Sequence, residues 1–120
     1  MKVGHVGINV NNMEKSKEFY LKLFGFEVIF EETQKDKRYI FLGHSGEIII
    51  TLWEQSNKRF SKDTAGLHHL AFILDSVDEL KAFEKKLEDN KDISYKTTGE
   101  GLNKVSNIIF SSRKSIYIYR

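Results

Sequence analysis

The stretch His5–Val28, HVGINVNNMEKSKEFYLKLFGFEV, decides the fold, because it returns at residues 66–87 as GLHHLAFILDSVDELKAFEKKL. Placing His5 over His69 overlays residues 5–23 on 69–87 without a gap. Lys17/Lys81, Phe19/Phe83, Lys22/Lys86 and Leu23/Leu87 are then identical, as are the two histidines. Val6, Ile8 and Val10 alternate with Gly7 and Asn9, the period of a half-buried strand. Met13, Ser16, Phe19, Tyr20, Leu23 and Phe24 follow at helical spacing and predict a helix over 13–24, entered through Asn11-Asn12 and closed by Gly25. The second copy predicts a strand over 67–74. Ser76-x-x-Glu79 then forms a capping box ahead of a helix carrying Val77, Leu80, Phe83 and Leu87.

Outward from each copy the chain turns β-rich. Residues 26–31, 38–43 and 47–54 read as strands, the last two joined by the tight turn His44-Ser45-Gly46. After the second helix, 92–97, 105–111 and 115–120 read the same way. Residues 97–104, with Gly99 and Gly101, read as a mobile loop. The expected architecture is α+β: one domain over 1–120, with a first βαβββ module at 1–55, a polar connector at 56–66 and a second module at 67–120. Neither module can bury its sheet alone, so the two must pair. Strand parity turns Val6, Ile8 and Val10 toward the helices and His5, Gly7 and Asn9 the other way, as it does Leu70, Phe72 and Leu74 against His69, Ala71 and Ile73.

Composition removes several function classes. There is no cysteine, hence no disulfide, thiolate metal site or cysteine nucleophile. Nineteen basic against seventeen acidic residues give +2 with mixed signs, which argues against nucleic acid as a partner. No apolar run approaches a membrane span, and the opening Met-Lys-Val-Gly-His has no apolar leader core, so a cytoplasmic protein with no membrane partner is expected.

The two copies, with Phe19-Tyr20 ahead of Leu23-x-Gly25-Phe26, resemble the vicinal oxygen chelate superfamily. That group includes glyoxalase I, fosfomycin and bleomycin resistance proteins, methylmalonyl-CoA epimerase and extradiol dioxygenases. The resemblance implies two βαβββ modules related by a pseudo-twofold axis, their curved mixed sheet wrapped around a cleft. It also implies a small-molecule ligand, a homodimer, and commonly one divalent metal held by histidines and carboxylates of the first and last strands.

On that resemblance His5 and His69 match the histidine positions, and imidazole suits Zn, Ni, Mn or Fe. The carboxylate positions fall differently. IIITLWEQ puts Thr51 where the family has a Glu, and a gap-free alignment of SSRKSIYIYR puts Tyr119 at the other. Glu47 is expected on the face of Thr51, Glu54 on the opposite face, Glu100 on the loop over the cleft, and His68 as a packing or surface residue. Parity gathers Asn9, Thr51, Trp53, Tyr117 and Tyr119 as cleft-lining, substrate-binding candidates with aromatic walls. Two functions follow: an enzyme resembling lactoylglutathione lyase and using a divalent metal, or a metal-free small-molecule binder resembling the bleomycin resistance proteins.

Overall fold

Asn12 starts the first helix. Its own backbone is still extended, and its Oδ1 accepts the Lys15 N–H at 3.0 Å. Gly25, at φ 66°, ends the helix by donating its N–H to the Leu21 carbonyl at 3.1 Å. These caps bound α1 at Met13–Phe24, between β1 (Val6–Val10) and β2 (Glu27–Gln34). The chain then forms β3 (Lys37–His44) and β4 (Glu47–Glu54), turning on Ser45 and Gly46, both at positive φ. The second half gives β5 (His69–Ile73), α2 (Val77–Asp89), β6 (Tyr95–Thr98), β7 (Val105–Ile109) and β8 (Ser115–Tyr119). This computed structural model describes residues 1–58, 61, 63–91, 93, 95–98, 105–109 and 115–119. Of the loop expected at 97–104, Thr97 and Thr98 belong to β6, and residues 99–104, with Glu100, lie outside the described residues.

The chain divides into two compact units, Met1–Lys58 and Arg59–Arg120. Each is a βαβββ module with one four-stranded sheet, ordered β1-β4-β3-β2 in the first and β5-β8-β7-β6 in the second. In both, the first strand pairs in parallel with the last, and the remaining ladders are antiparallel. The α+β class and the repeated module read from the sequence are those of the molecule.

In the first unit α1 lies against β3 and β4. Met13, Tyr20 and Leu23 of the helix are buried, as are Ile8, Val10, Ile40, Leu42, Ile50 and Leu52 of the sheet. Each such aliphatic side chain contributes roughly 1.5–3 kcal/mol by leaving water. The outer rim is polar: Glu31 takes hydrogen bonds from Lys17 Nζ at 2.8 Å and Arg38 Nη2 at 2.6 Å, and Arg38 also reaches Glu14. In the second unit α2 buries Leu80, Phe83 and Leu87. Its capping box is displaced by one residue. Ser76 Oγ accepts the Glu79 N–H at 3.1 Å, but the Glu79 carboxylate reaches past Ser76 to the Asp75 N–H at 2.8 Å.

Two β-bulges break the strand parity read from sequence. Between Leu42↔Ile50 and Gly43↔Ile48, Ile49 is the extra residue of β4. Glu47 therefore sits opposite His44 and beyond the bulge, and the expectation that it shares the face of Thr51 fails for that reason. In β2, Ile29 is the extra residue between Val28↔Leu42 and Phe30↔Phe41.

Candidate functional site

The face of the first sheet away from α1 is built from two rows of side chains that cross all four strands. Glu32 pairs with Tyr39, Tyr39 with Trp53, and Trp53 with Asn9. In the adjacent row Phe30 pairs with Phe41, Phe41 with Thr51, and Thr51 with Gly7. Side chains on paired residues share a face, so this register fixes the surface chemistry: a carboxylate at one edge, aromatic rings in the middle, an amide at the other edge.

The rings touch. Tyr39 and Trp53 stack with centroids 4.7 Å apart at 20°. Phe41 lies 5.7 Å from Tyr39, and Phe30 lies 5.6 Å from Phe41. The Trp53 indole N–H donates to Thr51 Oγ1 at 3.0 Å, which fixes the ring over a hydroxyl that is itself buried. Beside Trp53 the rows drop to Gly7, and there an open depression of about 390 Å³ is lined by Gly7, Asn9, Trp53 and Gln55. Gln55 Nε2 donates to Asn9 Oδ1 at 2.9 Å and closes its polar end. At the other edge the Tyr39 hydroxyl donates to the Glu32 carboxylate, which also accepts from Gln34 Nε2 at 3.1 Å. These bonds hold the Glu32 carboxyl below its usual value, and the same contact raises the Tyr39 phenol.

Of the residues singled out from sequence, Asn9, Thr51 and Trp53 share this face. Tyr117 and Tyr119 lie on β8 beside Ala71 and Ile73, and their side chains are outside the described part of the molecule. The register also moves one expectation. Ala71 is the repeat counterpart of Gly7, so the counterpart of Thr51 is Tyr117, and Tyr119 corresponds to Trp53. If the two modules carry matching positions, the second carboxylate position implied by the resemblance falls at Tyr117, one pleat from Tyr119. Phe30, Glu32, Tyr39, Phe41 and Gln55 were not read as site residues.

A divalent metal would draw on His5, His69 and carboxylates near them. His5 is exposed just ahead of β1, and His69 opens β5 with its Nδ1 2.9 Å from that of His68. His68 precedes the strand and escapes its alternation, so the two rings meet edge to face. The Thr51 hydroxyl is neutral and already accepts the Trp53 proton. Glu54 faces the helix side, where its carboxylate caps α1 at the Met13 N–H. Among the described residues no three His, Asp or Glu side chains gather as ligands. The set does not fit a site built on imidazoles and carboxylates.

Comparison with known proteins agrees with this architecture. The family model described as Glyoxalase/Bleomycin resistance protein/Dioxygenase superfamily matches residues 2–105. A trivalent organoarsenical cleaving enzyme of Bacillus sp. (strain MD1) is 37% identical over 90 residues, covering 75% of this chain and 52% of that protein. The chain spans about half the length of that relative, and 64% and 56% of two Bacillus subtilis (strain 168) relatives. A glyoxylase/bleomycin resistance protein/dioxygenase domain from Frankia sp. EAN1pec has a TM-score of 0.85 at 17% identity, covering 99% of this chain and 96% of that one. The fosfomycin resistance protein FosX of Listeria monocytogenes, solved with Mn(II) and 1S,2S-dihydroxypropylphosphonic acid, has a TM-score of 0.78 at 14% identity, covering 98% and 90%.

Proposed function

The chain belongs to the glyoxalase/bleomycin resistance protein/dioxygenase superfamily, and from that premise we propose that it binds a small organic molecule on the aromatic face of its first sheet, without a metal-borne reaction. The observation that carries this reading is Thr51. On the resemblance it stands where the family's enzymes place a carboxylate; it is neutral, and its hydroxyl accepts the Trp53 indole N–H beside an open, ring-walled depression. A lactoylglutathione-lyase-like reaction needs a carboxylate to move the substrate proton, and this face offers none at that position. The relative from Bacillus sp. cleaves trivalent organoarsenicals. Trivalent arsenic is a soft centre that favours thiolates, and these 120 residues contain no cysteine, so that substrate class does not suit them. The second reading, a metal-dependent enzyme, rests on His5 and His69 at the family's histidine positions.

Trp53 is the single tryptophan of the chain, so its emission reports on the proposed site directly. Titration with phenylpropanol, phenylpropionate and phenylpropylammonium is expected to give a saturable change with at least one of the three. Gly7→Ala is expected to weaken that binding about fivefold while preserving the fold. A Cβ at Gly7 would meet Thr51 Oγ1 at 3.4 Å and the Trp53 indole nitrogen at 3.9 Å, which is ordinary contact, and would fill the floor of the depression. No saturable change with any probe would remove this reading.

The proposal extends to a homodimer, since superfamily proteins often assemble this way and edge strands need cover. Sedimentation at micromolar concentration is expected to give twice the 14.0 kDa chain mass; a monomer would discard it.

A further inference from the structure

Glu31 and Glu32 are neighbours in sequence with opposite surroundings. Glu31, on the helix side of the sheet, is neutralised by Lys17 and Arg38. Glu32, on the aromatic face, takes only neutral donors among the described residues, the Tyr39 hydroxyl and the Gln34 amide. Lys37 lies on the same face toward the β2–β3 turn and forms no ion pair with it. Among the described residues, no side-chain cation cancels the negative charge of Glu32.

The register sets that charge at the end of the row Glu32, Tyr39, Trp53, Asn9. Aromatic ring faces are negative at their centres, and the phenol that donates to a carboxylate becomes more so. Phe30, 45% exposed and 6.0 Å from Tyr39, widens the same electron-rich surface. Three inter-strand steps of about 4.8 Å make the row about 14 Å long, which suits a ligand with a charged head and a flat body.

Resting on the small-molecule reading above, we propose that the ligand is an organic cation. Its ammonium head lies against Glu32 and the rim of Tyr39, and its apolar body lies along Tyr39 and Trp53 toward Asn9 and Gln55.

The experiment compares phenylpropylammonium, phenylpropanol and phenylpropionate, which share one body and differ in charge, by Trp53 emission. The cation is expected to bind about tenfold more tightly than the alcohol, the scale of a cation–π contact with an added ion pair. Glu32→Gln, at a partly exposed position, is expected to keep the fold and bring the two affinities together. Added salt should narrow the gap in the wild type and leave the variant unchanged. If the alcohol or the carboxylate binds as tightly as the ammonium, or Glu32→Gln leaves the preference intact, the cation assignment fails while the binding site stands. If none of the three perturbs Trp53, both readings fail.

Discussion

Gly43→Ala is expected to destabilise the first unit by at least about 3 kcal/mol, on the scale of backbone overpacking and bulge disruption. A Cβ at Gly43 would lie 1.7 Å from the Glu47 carbonyl oxygen, 2.7 Å from its carbon and 3.0 Å from the Ile48 Cα. All three are backbone atoms, so no side-chain rotation relieves the overlap. The close approach arises where Ile49 is extruded from β4 and Gly43 pairs with Ile48. Relief requires the end of the β3–β4 hairpin to open, next to Leu42 and Ile50, which are fully buried. Thermal unfolding should drop by roughly 10 °C or more. Gly4→Ala, where an added Cβ meets nothing within 4 Å, is the control and should leave the midpoint in place. A Gly43→Ala midpoint within a few degrees of wild type would mean that the bulge is not present in solution.

Thr51→Glu is the second large effect. The site is 2% exposed and flanked by Gly7 and Phe41 on the adjacent strands. The new carboxylate would lose hydration beside rings that cannot solvate it, so its own pKa should rise, and the Trp53 indole hydrogen bond would be displaced. The expected cost is about 3 kcal/mol. On the resemblance, adding Tyr117→Glu, the repeat counterpart of Thr51, restores the residue types of the family's metal set, two imidazoles and two carboxylates. Ni²⁺ or Zn²⁺ is then expected to raise the melting temperature of the double variant by mass action and to leave wild type nearly unchanged. Thr51→Glu with Tyr119→Glu should gain less, because Tyr119 matches Trp53 in the ladder. Strong stabilisation of wild type by stoichiometric metal would restore the metal-dependent reading. No gain in either double variant would show that Thr51 is not at a ligand position.

The helices were legible because their boundaries are local chemistry. Asn12 and Gly25 set α1, and Ser76 sets α2, each through hydrogen bonds within a few residues of the cap. The repeat of His5 at His69 supplied the modular topology. The aromatic row was illegible for a specific reason. A two-residue turn at Ser45-Gly46, continued without irregularity, would set Tyr39 opposite Leu52, a residue of the helix face. The extra residue Ile49 shifts the ladder by one and sets Tyr39 opposite Trp53. The run Tyr39-Ile40-Phe41-Leu42 is apolar on both faces and offers no alternation to correct the register. An isolated glycine inside a strand run, Gly43, was the available signal for a bulge. Gln55 was missed because it lies one residue beyond β4, in a segment that reads only as connector.

The parallel pairing that closes each sheet also orders the way the chain assembles. The β2–β3–β4 meander joins near neighbours through tight turns and can form early at small entropic cost. Val6 must wait for Ile50, and His69 for Ser115, so each opening strand finds its partner only after the rest of its module has been made. Loop closure costs entropy before that ladder returns anything, so the docking of β1 and β5 is expected to be the slow, late event of folding. Until then the β4 edge that will receive β1 is open to strands of other chains, and the same pairing that completes the native sheet is where misassembly would begin.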